Sequence, residues 1–275
     1  MSGVYLPKES SAGVQRDQRL GFLTRTGALY LGPDMKTSTH ALHNFKIYIA
    51  VRGEFDLFLA SGGRFRSCRA AVIAPDRAHR IVSRDVIFAA FYLVPETPEG
   101  RKVSAYYDAR EVFAPPRHVL AALLPRLRGC LERGCDREEA DYLCDLLFKN
   151  LTPPGDAVRP LDRRVAGAIE YLDSAIGRRR LTIAEIASEV ALSPSRFSHL
   201  FNEQVGIPVS RYVLWARTRA ALNLMTSGRS LTEVALEAGF SDSAHLSRTF
   251  RSMIGIAPST LLRTTHLYRS AVDEK

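Results

Sequence analysis

Few cysteines, one tryptophan, no long apolar run and, past residue 160, no lysine before the final position: these scarcities narrow what the 275-residue sequence can be. Four cysteines, Cys68, Cys130, Cys135 and Cys144, are too few for a disulfide scaffold, and their spacings match no zinc or redox motif. They are expected as small buried or half-buried thiols in a reduced cytosol. A redox or metal sensor built on Cys130, Cys135 and Cys144 is the other reading. The longest apolar run, residues 86–94, falls well short of the roughly 20 residues a membrane helix needs. It reads as a buried strand or core helix, and no membrane partner is expected. Residues 1–13 lack a cationic start followed by an apolar run, so no secretory signal is expected and the cytoplasm is the expected location.

What is present is ordinary in bulk. Hydrophobic content of 46% and charged content of 24% exclude a mostly disordered chain and a fibrous repeat. The length suggests two domains. A net charge of +9 points toward nucleic acid or an anionic surface. It is spread, however: residues 1–150 carry 22 Lys/Arg against 17 Asp/Glu, and residues 161–275 carry 15 against 11. Charge alone therefore does not locate a binding half. Its type says more, because every basic residue from 161 to 274 is arginine, whose forked guanidinium suits phosphate and guanine.

Texture changes along the chain. From about residue 20 to 94, short alternating runs (45–51, 54–59, 64–69, 71–74, 78–83 and 86–94) are separated by Gly and Pro, which predicts a sandwich or barrel. From 116 to 150 the period becomes helical. Leu120, Leu123, Leu124, Leu127 and Leu131 recur on one face, Pro125 predicts a kink or a helix start, and Gly134 ends the segment. Asp136 then reads as an N-cap, with Leu143, Leu146 and Leu147 as the stripe of a second, antiparallel helix. Residues 151–160, with adjacent prolines and a third at the end, read as a linker. Residues 161–275 read as nearly all helix.

That last segment contains an internal repeat. Ile183-Ala-Glu-Ile-Ala187 matches Leu231-Thr-Glu-Val-Ala235 at an offset of 48, and Val190-Ala-Leu-Ser193 matches Ala238-Gly-Phe-Ser241 at the same offset. Phe197 and Phe201 then match Leu246 and Phe250 at 49. Each unit, about 182–203 and 231–252, has the parts of a helix-turn-helix. A small residue (Ala187, Ala235) lets the helices cross, a tight turn follows at Ala191 or Gly239, and a buried plug comes next (Leu192, Phe240). Ser193 or Ser241 is expected to cap the second helix, with Pro194 at its first position. Outward positions are Ser195, Arg196, Ser198, His199 and Asn202 in the first unit, and Ser243, Ala244, His245, Ser247, Arg248 and Arg251 in the second. Such residues read base edges in the major groove of double-stranded DNA. The helix between the units, residues 209–225, could space two recognition helices about one DNA turn apart. Its Trp215 is expected in the core.

This C-terminal segment resembles the DNA-binding domain of the AraC/XylS family of bacterial transcription regulators over about 100 residues. The residues that carry it are Arg217-x-x-x-Ala221-x-x-Leu224-Met225 and Ala238-Gly239-Phe240-Ser241-x4-Leu246-Ser247-Arg248-x-Phe250-Arg251-x3-Gly255-Ile256-x-Pro258. The resemblance implies base contacts at Ser195, Ser198 and His199, and at Ser243, Ala244, Ser247 and Arg248. Where this chain has His199 the family often has Arg, and its usual Pro-x-x-aromatic-Arg ending is here Pro258-Ser-Thr-Leu261-Leu262-Arg263.

The resemblance also implies a small cupin-like sensor barrel in residues 1–115, carrying His40-x-x-His43 and, in a second half-motif, His79. Residues i and i+3 do not share a strand face, so His40 and His43 cannot both point inward from one regular strand, and no metal or other cofactor is expected. His43, Tyr48, His79, Arg80 and Tyr92 are the candidates to line the pocket of an unidentified small-molecule effector, with His43 and His79 read equally as hydrogen-bonded residues of the barrel itself. Residues 116–150 are expected to form a homodimer contact through the Leu120, Leu123, Leu124, Leu127 and Leu131 stripe, or else simply to cover the barrel. The expected fold is thus two domains: an all-β cupin-like barrel with a following helical pair, then an all-α tandem helix-turn-helix. The expected function is promoter binding under effector control, with RNA polymerase as a further partner and no catalytic residue. The alternatives are a metal-dependent cupin enzyme fused to a DNA-binding tail, and a constitutive DNA binder whose barrel only dimerises.

Overall fold

Alternating and short apolar runs become strands from Leu20 onward in the computed structural model. It describes residues 19–269 apart from 25, 35, 84, 108–109, 156–157, 159 and 178–180. The reading of residues 1–13, and part of the 151–160 linker, lie outside the described residues. The first eight strands are β1 (Leu20–Thr24), β2 (Gly27–Pro33), β3 (Phe45–Arg52), β4 (Phe55–Leu59), β5 (Arg64–Cys68), β6 (Ala70–Ile73), β7 (His79–Ser83) and β8 (Ile87–Leu93). Helix α1 (Pro98–Tyr107), the two-residue strand β9 (Val112–Phe113) and helices α2 (Arg117–Arg133) and α3 (Arg137–Asn150) follow.

β3 shows why its run is apolar at nearly every position. Phe45, Ile47, Ile49 and Val51 face a helical layer, where they join Leu123 and Leu127 of α2 and Leu143 and Leu147 of α3. Tyr48 and Ala50 face the opposite way, into a second core with Phe55, Leu57, Ile73 and Phe88. A strand buried on both sides loses the polar half of the alternation, and each large apolar side chain so buried contributes about 1.5–3 kcal/mol. The second core lies between two sheets. One has seven strands in the order β10-β1-β2-β8-β3-β6-β9, in which β10 is His266–Arg269 from the far end of the described residues, and the other three in the order β5-β4-β7. The ring is not closed. β9 is too short to carry the large sheet round to the small one, and an isolated bridge, His40 to His79, stands at the edge of β7.

Of the two alternatives at Pro125, a kink or a helix start, the start is corrected: α2 runs continuously across it. Pro125 and Ala121, whose carbonyl it leaves without a helical partner, both face solvent, so water can satisfy that group. Asp136 caps α3 by accepting the Glu139 N–H at 2.8 Å. The helical pair covers the large sheet: Leu123 and Leu127 are fully buried within this chain and are not available to a partner, which corrects their assignment to a dimer contact. Leu120, Leu124 and Leu131 remain half-buried.

The C-terminal half is built from α4 (Arg163–Ala175), α5 (Ile183–Glu189), α6 (Pro194–Val205), α7 (Val209–Met225), α8 (Leu231–Glu237), α9 (Ser243–Ile254) and α10 (Pro258–Thr264). It is not wholly helical. β10 (His266–Arg269) pairs in parallel with β1 and so extends the N-terminal sheet. Four residues form a strand here because β1 offers an unpaired edge, and Tyr268 stacks on Phe22 at 5.1 Å. Among the described residues no helix is long and apolar enough to cross a membrane.

Candidate nucleic-acid interface and interdomain cavity

The two helix-turn-helix units repeat at the level of single hydrogen bonds. α5 and α8 each open with a capping box, Thr182 with Glu185 and Ser230 with Glu233. Each then turns through a residue at positive φ, Ala191 at 53° and Gly239 at 82°. The Leu192 N–H returns to the Ala187 carbonyl at 2.9 Å, and the Phe240 N–H to that of Ala235 at 2.8 Å. Ala187 and Ala235 are fully buried where the helices cross. Ser193 caps α6 and Pro194 occupies its first turn. The matching cap of α9 is Asp242 rather than Ser241, accepting the His245 N–H at 2.7 Å. The repeat offset steps from 48 to 49 at this point, so the second unit has one more residue between turn and helix, and the cap moves with it.

Phe197, Phe201, Leu246 and Phe250 face inward and are fully buried. The opposite faces are open. Ser195, Arg196, His199 and Asn202 are exposed on α6, and Ala244, Arg248 and Arg251 on α9. Ser198 is half-buried and donates to the Pro194 carbonyl at 2.8 Å; Ser243 and Ser247 are half-buried. His245 departs from its expected outward role. Its ring stands edge-on to Phe240 with centroids 5.2 Å apart, and its Nδ1 lies 3.1 Å from the Ser241 hydroxyl, so it braces the turn.

α7 packs against both units and also against the N-terminal domain. Trp215 is buried, and its Nε1–H donates to the His43 carbonyl at 2.8 Å. It is thus core, as expected, but the core of a domain seam. The His43 ring lies between two carboxylates, 2.6 Å from Asp76 and 2.7 Å from Glu96, with Tyr212 of α7 edge-on. Arg211 of α7 completes the cluster on Asp76 at 3.1 Å. Burial pulls the His43 pKa down, but the hydrogen bonds and charges of Asp76 and Glu96 outweigh it and lift it to about 9. For Asp76, burial pushes upward, while the His43 hydrogen bond and the charges of His43 and Arg211 hold it below the usual carboxylate range. A second tie joins Ser38 to Gly255 beyond α9, through backbone and hydroxyl, each at 3.0 Å.

The effector candidates scatter. His43 belongs to this seam, so its assignment to a sensor pocket is corrected. Both of its ring nitrogens are engaged by carboxylates. Arg80 is also corrected: His79 points inward on β7, so the next residue must point out, and Arg80 lies exposed over the Phe58 ring. His79 is fully buried, with Nδ1 2.8 Å from the Arg77 carbonyl and Nε2 3.4 Å from the Tyr48 hydroxyl. Burial, then the nearby Lys46 charge, lowers its pKa to about 2. Tyr48 packs on Phe55 and Phe88 inside the second core. Tyr92 lines a cavity. That cavity, about 440 Å³, lies between the domains, with Tyr30, Leu42, Asn44 and Tyr92 on one side and Trp215, Arg219, Asn223 and Leu261 on the other. Arg219 lies over the Trp215 ring at 5.0 Å and pairs with Asp173. Leu120, Leu124 and Leu131 line a separate open cleft of about 700 Å³ against β3, edged by Arg52, Arg69 and Arg128. Among the described residues, no group of three or more His, Cys, Asp or Glu is placed to hold a metal ion.

Asp76, Glu96, Arg211 and Arg219 escaped the reading of the sequence. Their partners lie far along the chain, and no local spacing marks them.

Comparison with known proteins agrees with this geometry. A helix-turn-helix domain family matches residues 186–264. The arabinose operon regulatory protein of Escherichia coli (strain K12) is 35% identical over 137 residues, covering 49% of this chain and 44% of that protein. Its counterpart from Salmonella typhimurium (strain LT2) is 38% identical over 121 residues, 43% of each. The chain thus spans less than half the length of these relatives. In fold it is similar over nearly its whole length to ToxT from Vibrio cholerae O395, with TM-score 0.57 and 14% identity over 90% of this chain and 97% of that one. It is similar also to wild-type ToxT from Vibrio cholerae bound to an unsaturated fatty acid, with TM-score 0.55 and 13% identity over 90% and 94%.

Proposed function

We propose, from a C-terminal domain that belongs to the AraC/XylS family, that the chain is a sequence-specific DNA-binding transcription regulator controlled by a small molecule held between its domains. The observation that carries the reading is the double use of α7, which packs on both helix-turn-helix units and supplies Trp215 and Arg219 to the interdomain cavity. An effector in that cavity touches both domains at once. It therefore binds one docked arrangement better than another, which is the condition for coupling it to DNA affinity. The walls suit an amphiphilic organic molecule, with Tyr30, Asn44, Tyr92 and Arg219 as its polar partners.

At the DNA, Ser195, Arg196, Ser198, His199 and Asn202 form one reading surface and Ser243, Ala244, Ser247, Arg248 and Arg251 the other. Arg248 takes guanine through its two forked N–H groups, and the remaining arginines take phosphate. Action on promoter DNA implies a cytoplasmic protein with RNA polymerase as its downstream partner. A homodimer would use the rim of Leu120, Leu124 and Leu131, the members of the stripe left accessible.

Purified protein should enrich a defined sequence from fragmented genomic DNA, and a metabolite that raises its melting temperature should change the affinity for that sequence. Enrichment without a shared motif would refute specific recognition. A motif bound equally with and without every stabilising compound would leave a constitutive binder in place of a sensor.

A further inference from the structure

One flank of α2 rests on the large sheet and the other stands away from it. Leu123 and Leu127 pack with β3, while Leu120, Leu124 and Leu131 wall the open cleft of about 700 Å³. The floor of this cleft is the end of three adjacent strands, where Pro33 of β2, Ile87 of β8 and Arg52 of β3 stand in one cross-strand row. A bulge makes the row. Ala50 is opposite Phe88 and Arg52 opposite Ile87, which leaves Val51 without a partner across the ladder. In a regular strand Arg52 would follow Tyr48 and Ala50 into the core between the sheets, where a guanidinium would lose its water. The bulge turns it instead to the helix side, beside Ile87 and into the cleft.

Three guanidiniums border this apolar space. Arg128 stands on α2 between Leu124 and Leu131, one helical turn from each, and Arg52 and Arg69 come from the sheet side. All three are exposed. Among the described residues neither Arg52 nor Arg128 has an ion-pair partner. Arg69 is held only by Glu54 at 3.4 Å, a pair open to water on both sides. Glu132 is the sole carboxylate among the described lining residues. Leucines beside unpaired cations fit a molecule with an apolar body and an anionic head, and the volume falls in the range of roughly 300–1,000 Å³ typical of small-molecule sites. A second copy fits less well. A twofold interface sets one patch against itself, arginine facing arginine, which is repulsive unless an anion lies between them.

We propose that the cleft between α2 and the bulged end of β3 binds an amphiphilic organic anion, its apolar body on Leu120, Leu124 and Leu131 and its carboxylate on Arg52 and Arg128. Arg69 can join by leaving the exposed Glu54. The anion pairs with guanidiniums that otherwise face only water, and its body covers leucines that the sheet leaves half-buried. Bound there, it fastens the outer flank of α2 to the end of β3 and so stabilises the N-terminal domain. The cleft shares no lining residue with the interdomain cavity, so this site does not depend on what fills the other.

The test titrates the full chain with sodium decanoate in a calorimeter. The double variant Arg52→Gln, Arg128→Gln alters two exposed side chains without touching the core, and it should weaken binding by at least about tenfold. Decan-1-ol, which has the body without the charge, should bind at least about tenfold more weakly than decanoate. Leu124→Trp keeps the arginines but fills the cleft, and it should abolish the binding. Trp215 lines the interdomain cavity and not this cleft, so in the wild type its emission should stay constant through the titration. The proposal is overturned if decanoate does not bind, if the double variant binds it as tightly as the wild type, if decan-1-ol binds as well, or if the heat follows a change in Trp215 emission. A dimer that sedimentation detects without decanoate, and that excludes it, would assign the cleft to a second copy and overturn the proposal equally.

Discussion

Replacing His43 with glutamine should remove a pH dependence that the domain seam otherwise carries. The imidazole is 4% exposed, between Asp76 and Glu96, and its pKa rises from 6.5 to about 9 in the folded chain. At about pH 6 the folded chain holds its His43 proton firmly and the cluster contributes nearly in full. Between 6.5 and 9 the unfolded chain gives up the proton and the folded chain keeps it, so the contribution declines with rising pH and is gone above 9. The displacement corresponds to about 3 kcal/mol at roughly 1.4 kcal/mol per pKa unit. The depressed Asp76 pKa is the same attraction seen from the other side and is counted once. Lys46 works in the opposite direction. Burial lowers its pKa from 10.5 to about 7, so its deprotonation favours the folded chain as pH rises and masks part of the His43 slope. The quantity to measure is therefore the difference between wild type and His43→Gln. Urea unfolding can be followed by the emission of Trp215, the sole tryptophan, which donates to the His43 carbonyl. The difference in unfolding free energy should be about 3 kcal/mol larger at about pH 6 than near pH 9.5. Two curves that fall in parallel would show that the carboxylates do not hold a protonated imidazole, and the account of the seam would fail.

Other perturbations separate the parts of the molecule. Arg248→Ala should weaken specific DNA binding by about 1–3 kcal/mol and relax preference at one base position, read from binding isotherms on a panel of single-base variants; an unchanged preference would remove Arg248 from base readout. Gly239→Val should destabilise the second unit by at least about 1–2 kcal/mol, because a β-branched residue must occupy φ 82°; a normal urea melt would contradict the turn. Trp215→Phe keeps most of the buried ring but leaves the His43 carbonyl without its donor, and it should cost about 1–3 kcal/mol in a melt followed by far-UV circular dichroism.

Much of the fold was legible because it is written in local periods. The runs at 45–51 and 78–83 became β3 and β7 to within a residue or two, and the paired helix-turn-helix pattern set the positions of α5, α6, α8 and α9. Even the corrections had a local trace. The step in repeat offset points to Asp242, and the inward His79 already implied an outward Arg80. The leucine stripe on α2 was real but served two surfaces. Leu123 and Leu127 face the sheet, while Leu120, Leu124 and Leu131 edge a cleft, and one-dimensional spacing does not say which neighbour each flank meets. The seam was invisible for a stronger reason. Asp76, Glu96, Arg211 and the His43 carbonyl come together only after both domains have folded, and none obeys a helical or strand period.

The parallel pairing of β1 with β10 joins the first described strand to the last, Leu20 opposite His266. On a ribosome about 245 residues are added between the two. The large sheet must therefore stand with one edge bare until His266–Arg269 emerges, with the N–H and C=O groups of β1 open to a neighbouring nascent chain. Contacts at such separation form late and slowly. Early termination just before His266 would leave every described helix of the C-terminal half in place and still release a protein with a permanently sticky sheet edge.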